Sequence, residues 1–218
     1  INHTNEILGD LIKLTKHKIT NQYLRGLTFQ LYEKNGVVKR SEVEKIVKSI
    51  PANERKKLWG MGIKIGRYHI YLPKMLKPKA VEFRVKLWKI FYKLSDKNRI
   101  PKSGLNFLID RTLERNFLLL CGFEKFREFF VRIDILEKLF LKIIDNTKDR
   151  KFKINAEMMN LLGCSKDNFY KLMTYMNYKK DKLTDTYIFK GEKKKKEKII
   201  QIDKKENPFN KLLFLNIK

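Results

Sequence analysis

Ile63-Lys64-Ile65-Gly66-Arg67-Tyr68-His69-Ile70-Tyr71-Leu72 decides how the first half of the chain folds. Apolar and polar residues alternate on both sides of a Gly-Arg step, the pattern of two short strands joined by a tight turn. Upstream, Tyr23, Leu24, Leu27, Leu31 and Tyr32 recur at near-helical spacing over residues 21–34, and Asn35-Gly36 supplies a stop. Ser41 and Glu44 have the spacing of a capping box for a helix over residues 42–49, which Pro51 breaks. A third short helix over residues 52–59 leads into the hairpin. Three helices followed by a basic hairpin is a winged-helix order.

Downstream of Pro73 the spacing predicts a long helix from Pro78 to Leu94, with Val81, Val85, Trp88 and Phe91 on its apolar stripe. Residues 95–104 contain Asp, Asn, Pro, Ser and Gly and read as a linker. Apolar periodicity resumes over residues 105–120, an alternating segment covers residues 122–133, and Asp134 caps a helix to Ile144. From Asp149 a short strand over residues 151–154 precedes a helix over residues 156–162 capped by Asn155. Gly163-Cys164-Ser165 then turns into a second helix from Lys166 to Asn177, which is helix-turn-helix spacing. Residues 178–189 follow as a polar, basic hairpin in the place of a wing.

The expected architecture is mainly α (α+β): two or three small winged-helix-like helical units with short β-hairpins. Residues 1–94 form a winged-helix-like unit plus a long helix, 95–104 a linker, 105–148 a helix-hairpin-helix unit, and 149–190 a helix-turn-helix or winged unit. Residues 191–218 are a Lys-rich spacer ending in an apolar docking tail over residues 207–215.

The chain has 50 Lys plus Arg against 24 Asp plus Glu, a formal charge of +26 on 218 residues, spread along its length. Only a polyanion matches so many unpaired surface cations, so nucleic acid is the expected partner. Compositional drift accounts for the preference of Lys over Arg, but not for the excess of bases over acids. The 43% apolar content supports packed cores. No apolar run is long enough for a membrane span and no leader pattern opens the chain, so a cytoplasmic protein without a membrane partner is expected. Cys121 and Cys164 are far apart, and His3, His17 and His69 have no partners at metal-ligand spacing. No phosphate-binding loop, dinucleotide turn or nucleophile constellation can be assembled, so neither catalysis nor a cofactor is expected of this chain. Glu42 and Glu44 read as local capping and ion-pairing groups.

Candidate nucleic-acid contacts follow from cations interleaved with rings, the combination that holds phosphates and stacks bases in single strands. In the first hairpin these are Lys64, Arg67, Tyr68, His69 and Tyr71, with the outward-facing rings left to the register of the turn. In the third unit the candidates follow instead from the helix-turn-helix spacing: Lys166, Asn168 and Lys171 as exposed side chains of the second helix, with Lys179, Lys180 and Lys182 on the wing. Met173 is expected to be buried.

Several ordered pieces also resemble one family. They are Arg25-Gly26 with Phe29-Gln30-Leu31 and Gly36-Val37; Gly62 through Ala80, including Gly66 to Pro73 and Lys77-Pro78; and residues 131–139. Met158 through Tyr178 and the closing Asn207-Pro208-Phe209 with Lys211-Leu212 complete the set. Together they resemble the region after the motor domains in alphaproteobacterial helicase-related proteins, relatives of the mitochondrial degradosome RNA helicase. The resemblance implies an RNA-binding accessory region of an ATP-dependent superfamily 2 RNA helicase, holding or guiding single-stranded nucleic acid, with ATP and Mg bound by motor domains upstream. It supplies no catalytic residue here. A stand-alone DNA-binding winged-helix regulator and a ribosome-associated RNA-binding scaffold are the alternatives drawn from the helix-turn-helix spacing and from the Lys excess with its apolar tail.

Overall fold

Residues 2–16, 18–92, 99–181, 184 and 186–190 are described in a computed structural model of the chain. Lys182, the spacer and the apolar tail lie outside the described residues. The chain is mainly helical, with small antiparallel sheets.

Helix α1 (Asn2–Lys16), which falls in a part of the sequence with no expected element, packs on α2 (Gln22–Glu33). The Asn21 side chain starts α2 by accepting from the N–H groups of Tyr23 and Leu24, satisfying two otherwise unpaired donors. Leu24, Leu27 and Leu31 lie on the face that α2 buries. The helix stops where Asn35 and Gly36 take φ of 56° and 86°. Glycine is needed at position 36, because a Cβ there would come 2.7 Å from Met75 Cγ. Next come β1 (Val37–Lys39), α3 (Glu44–Ser49), α4 (Ala52–Gly60), β2 (Lys64–Ile65) and β3 (His69–Tyr71). The sheet order is β1-β3-β2, with Val38 and Ile65 both opposite Ile70. Contrary to expectation, Ser41 is no cap. It lies in a 3-10 turn, Arg40–Glu42, and α3 starts after Val43 without a side-chain cap, while Glu44 pairs with Lys48 at 2.7 Å.

A 3-10 turn (Pro73–Leu76) leads to α5 (Pro78–Phe91), followed by β4 (Phe107–Ile109), α6 (Arg115–Leu120), β5 (Phe123–Phe126) and β6 (Phe129–Arg132). The second sheet has the order β4-β6-β5. Val81 and Val85 of α5 pack with Phe117, Phe123 and Phe130. Helix α7 (Ile133–Asp145) begins directly after β6, and Arg132 is its N-cap residue. The expected cap, Asp134, sits instead in the first turn, where it accepts from Arg132 Nε at 2.7 Å. The remaining elements are β7 (Lys151–Phe152), α8 (Ala156–Leu162), α9 (Lys166–Tyr175), β8 (Tyr178–Lys180) and β9 (Tyr187–Phe189), with sheet order β7-β9-β8. Asn155 caps α8, Gly163 ends it in the left-handed region at φ 66°, and Ser165 caps α9. Leu136, Leu139, Phe152, Phe169 and Met173 share one core with Phe129 and Val131 of the second sheet.

One order therefore recurs three times: a helix, a strand, one or two helices and a two-stranded hairpin, with the third strand always between the first and second. Among the described residues no helix is long and apolar enough to cross a membrane.

Candidate nucleic-acid interface

The β2–β3 hairpin forms as its alternation predicts, but its turn is not a free wing. The N–H groups of Arg67, Tyr68 and His69 all point at the carboxylate of Glu137 on α7, at 2.6, 2.9 and 2.9 Å. Consecutive amides that converge in this way make an anion nest, and here the protein fills it with its own side chain. Gly66 is required because a Cβ at that position would land on the same carboxylate. A second acid, Glu124 on β5, accepts from Lys39 Nζ at 2.5 Å and contacts His69 Nε2 at 2.8 Å and Arg115 at 3.4 Å. Glu124 of the second sheet and Glu137 of α7 thus grip the first sheet and its hairpin turn, joining the three units.

Two expected contacts are corrected by this clasp. His69 is 1% exposed and Tyr71 4% exposed, so neither reaches a ligand outside. His69 faces Glu124, and Tyr71 packs with Val37 and Ile133. Burial pushes the Tyr71 phenol up to about 12. Lys64 and Arg67 are exposed as expected, whereas Tyr68 is half-buried, edge-on to Phe140 with ring centroids 5.8 Å apart.

Burial alone would lower the His69 pKa, but the hydrogen bond to Glu124 and the Glu137 carboxylate, 3.8 Å from Nδ1, outweigh it and the net shift is upward from 6.5. Burial raises Glu124, yet His69 and Lys39 outweigh it and hold it below 4.5. The His69 contribution to stability is complete below its unfolded value and is lost as pH rises through the higher folded one. That of Glu124 is complete above its unfolded value and is lost as pH falls through the lower folded one. We expect the protein to resist urea better at about pH 6 than at about pH 9, and His69→Gln to flatten that difference. The same alkaline loss in both proteins would overturn the assignment.

In the third unit, Lys166, Lys171, Lys179 and Lys180 are exposed and Asn168 is half-exposed, its backbone N–H donating to the Ser165 cap. The Nζ atoms of Lys166 and Lys180 lie 5.7 and 5.6 Å from the centroid of the Tyr170 ring, and Tyr170 stacks on Tyr187 at 6.2 Å. Further along α9, Arg127 covers the Tyr175 ring at 4.6 Å. Sequence reasoning missed Tyr170 and Tyr175, although Lys166 and Tyr170 stand four residues apart on one helix, where side chains meet.

Between the clasp and the third unit a cleft of about 510 Å³ is lined by Arg67, Tyr68 and Phe140, by Arg150 and, on the far side, by Tyr178 and Phe189. Burial raises the pKa of both the Tyr68 and the Tyr178 phenols. The fold thus brings the first hairpin and the β8–β9 hairpin, separate in sequence, to one opening. Lys64 does not line it.

Comparison with family models, with curated proteins and with solved structures returns no match.

Proposed function

We propose that this chain is a nucleic-acid-binding accessory module of three winged-helix-like units that holds single-stranded RNA for an ATP-dependent helicase motor. The recurring element order and the first-third-second strand order support the winged-helix description. The ordered family pieces support the link to a motor, which would bind ATP and Mg itself. The observation that carries the reading is the face of α9 and β8, where Lys166 and Lys180 flank Tyr170, on a chain of net charge +26. Cations there neutralise phosphates and an aromatic ring offers a stacking platform, with no need for base-specific hydrogen bonds.

Affinity for an oligouridylate is expected to fall with salt at a slope of about −0.7 per neutralised phosphate, so that five contacts give roughly −3.5. Lys166→Glu with Lys180→Glu is expected to lower affinity at least about tenfold and bring the slope to roughly −2. A flat salt dependence would remove the nucleic-acid reading, and an unchanged slope in the double variant would make α8 and α9 a packing unit only. The Gly163 turn between two capped helices favours a second reading, duplex DNA in the manner of a regulator. Duplex DNA that outcompetes the single strand at equal salt would select it.

A further inference from the structure

We propose that the cleft between the Arg67 turn and the third unit takes one unstacked base of the bound strand, with Arg67 and Arg150 on the phosphates to either side. The proposal rests on the single-strand reading above. At about 510 Å³ the cleft falls within the range of sites that enclose a small ligand, roughly 300–1,000 Å³.

Its lining divides by chemistry. The walls are aromatic and aliphatic, from Tyr68, Phe140, Tyr178 and Phe189, while the cations are two arginines and no acidic side chain is among the lining residues. Glu137, under the Arg67 turn, is occupied by three backbone N–H donors. Phe189 is 37% exposed and Ile144 50% exposed, so apolar surface stands in water at the mouth. The Arg67 guanidinium lies 5.8 Å from the Phe140 ring centroid. Arg150 sits across the cleft in a turn where Asp149 and Arg150 both take positive φ, 50° and 64°. Lys148 and Lys151 on either side exchange backbone hydrogen bonds of 2.8 Å, so this is a two-residue hairpin turn, a geometry that calls for positive φ at both central positions.

An apolar slot with a cationic rim fits a planar base carrying phosphates on both sides better than it fits a purely apolar segment, which would gain nothing from two arginines. The strand continues naturally from the cleft to the basic face, because Tyr178 in the wall is followed along β8 by exposed Lys179 and Lys180.

The test uses the full chain and an oligouridylate carrying a single 5-iodouridine, cross-linked by light and mapped by mass spectrometry. Cross-links are expected at Tyr68, Phe140, Tyr178 or Phe189. Thr147→Trp, which fills the cleft from α7's end, is expected to abolish them and to weaken binding about tenfold, while the salt slope changes little. Should that variant unfold, Ile144→Glu, at an exposed position on the rim, is expected to produce the same loss. Cross-links confined to Tyr170 and Tyr175, with either folded variant binding like the parent, would overturn the cleft proposal and leave the single-strand reading standing. Failure of the parent chain to bind the oligouridylate at low salt would overturn both.

Discussion

Glu137→Ala is expected to lower the stability of the protein by about 3 kcal/mol or more. The carboxylate satisfies the N–H groups of Arg67, Tyr68 and His69, and each donor left unpaired in a buried place costs about 1–3 kcal/mol. Water admitted to the new space recovers part of that cost, which keeps the expectation near the lower end. Glu137→Gln retains one carbonyl oxygen in nearly the same volume and is expected to cost about half as much. Urea denaturation measures both. A coupling experiment isolates the contact: Gly66→Ala should be severe in the parent, where the added methyl meets the carboxylate, and mild in a Glu137→Ala background. Equal costs of Gly66→Ala in the two backgrounds would show that the clasp is not what constrains the turn.

The second large effect is expected at Arg84, which is 2% exposed in α5. Its guanidinium donates from Nη1 to Asn35 O at 2.6 Å and from Nη2 to Met75 O at 2.5 Å. Burial lowers its pKa to about 10, which still leaves it a cation at neutral pH. These two carbonyls belong to the stop of α2 and to the 3-10 turn before α5, so one side chain ties three segments of backbone. Arg84→Met keeps the aliphatic stem and strands both carbonyls. The desolvation cost of the buried cation disappears at the same time and offsets part of the loss. A net destabilisation of about 2–4 kcal/mol is expected, with Arg84→Lys intermediate because a point charge does not span both acceptors. A thermal midpoint unchanged in Arg84→Met would mean that the two hydrogen bonds contribute nothing net.

What the sequence revealed was local. Asn155 caps its helix through a hydrogen bond three residues away, and Gly36 and Gly163 stop helices through their own backbone angles, so those boundaries were legible, whereas the caps at Asn21 and Ser165 were not anticipated. The run over residues 105–120 was not, because a three-residue strand and a six-residue helix are too short for apolar periodicity to tell apart. The hairpin was recognised, but its partner was not: Glu137 lies 70 residues from Arg67, and Glu124 lies 55 from His69. Nothing near Gly66 announces that its amides face an acid. For the same reason Lys166 and Lys171 were recognisable as surface cations, whereas Arg150 and Phe140 acquire a role only once the third unit folds beside the first hairpin. Lys182 lies outside the described residues.

The absence of any linker between β6 and α7 has a further consequence. Arg132 ends the strand, caps the helix and holds Asp134 with two hydrogen bonds of 2.7 and 3.0 Å, so the second and third units meet at one backbone position. Tethered modules on a flexible connector sample many separations, and their joint affinity depends on an effective concentration set by that connector. A hinge of zero length removes the averaging. If a polymer engages both units, the junction acts as a ruler: the spacing of its contacts is set by the protein and not by the solution.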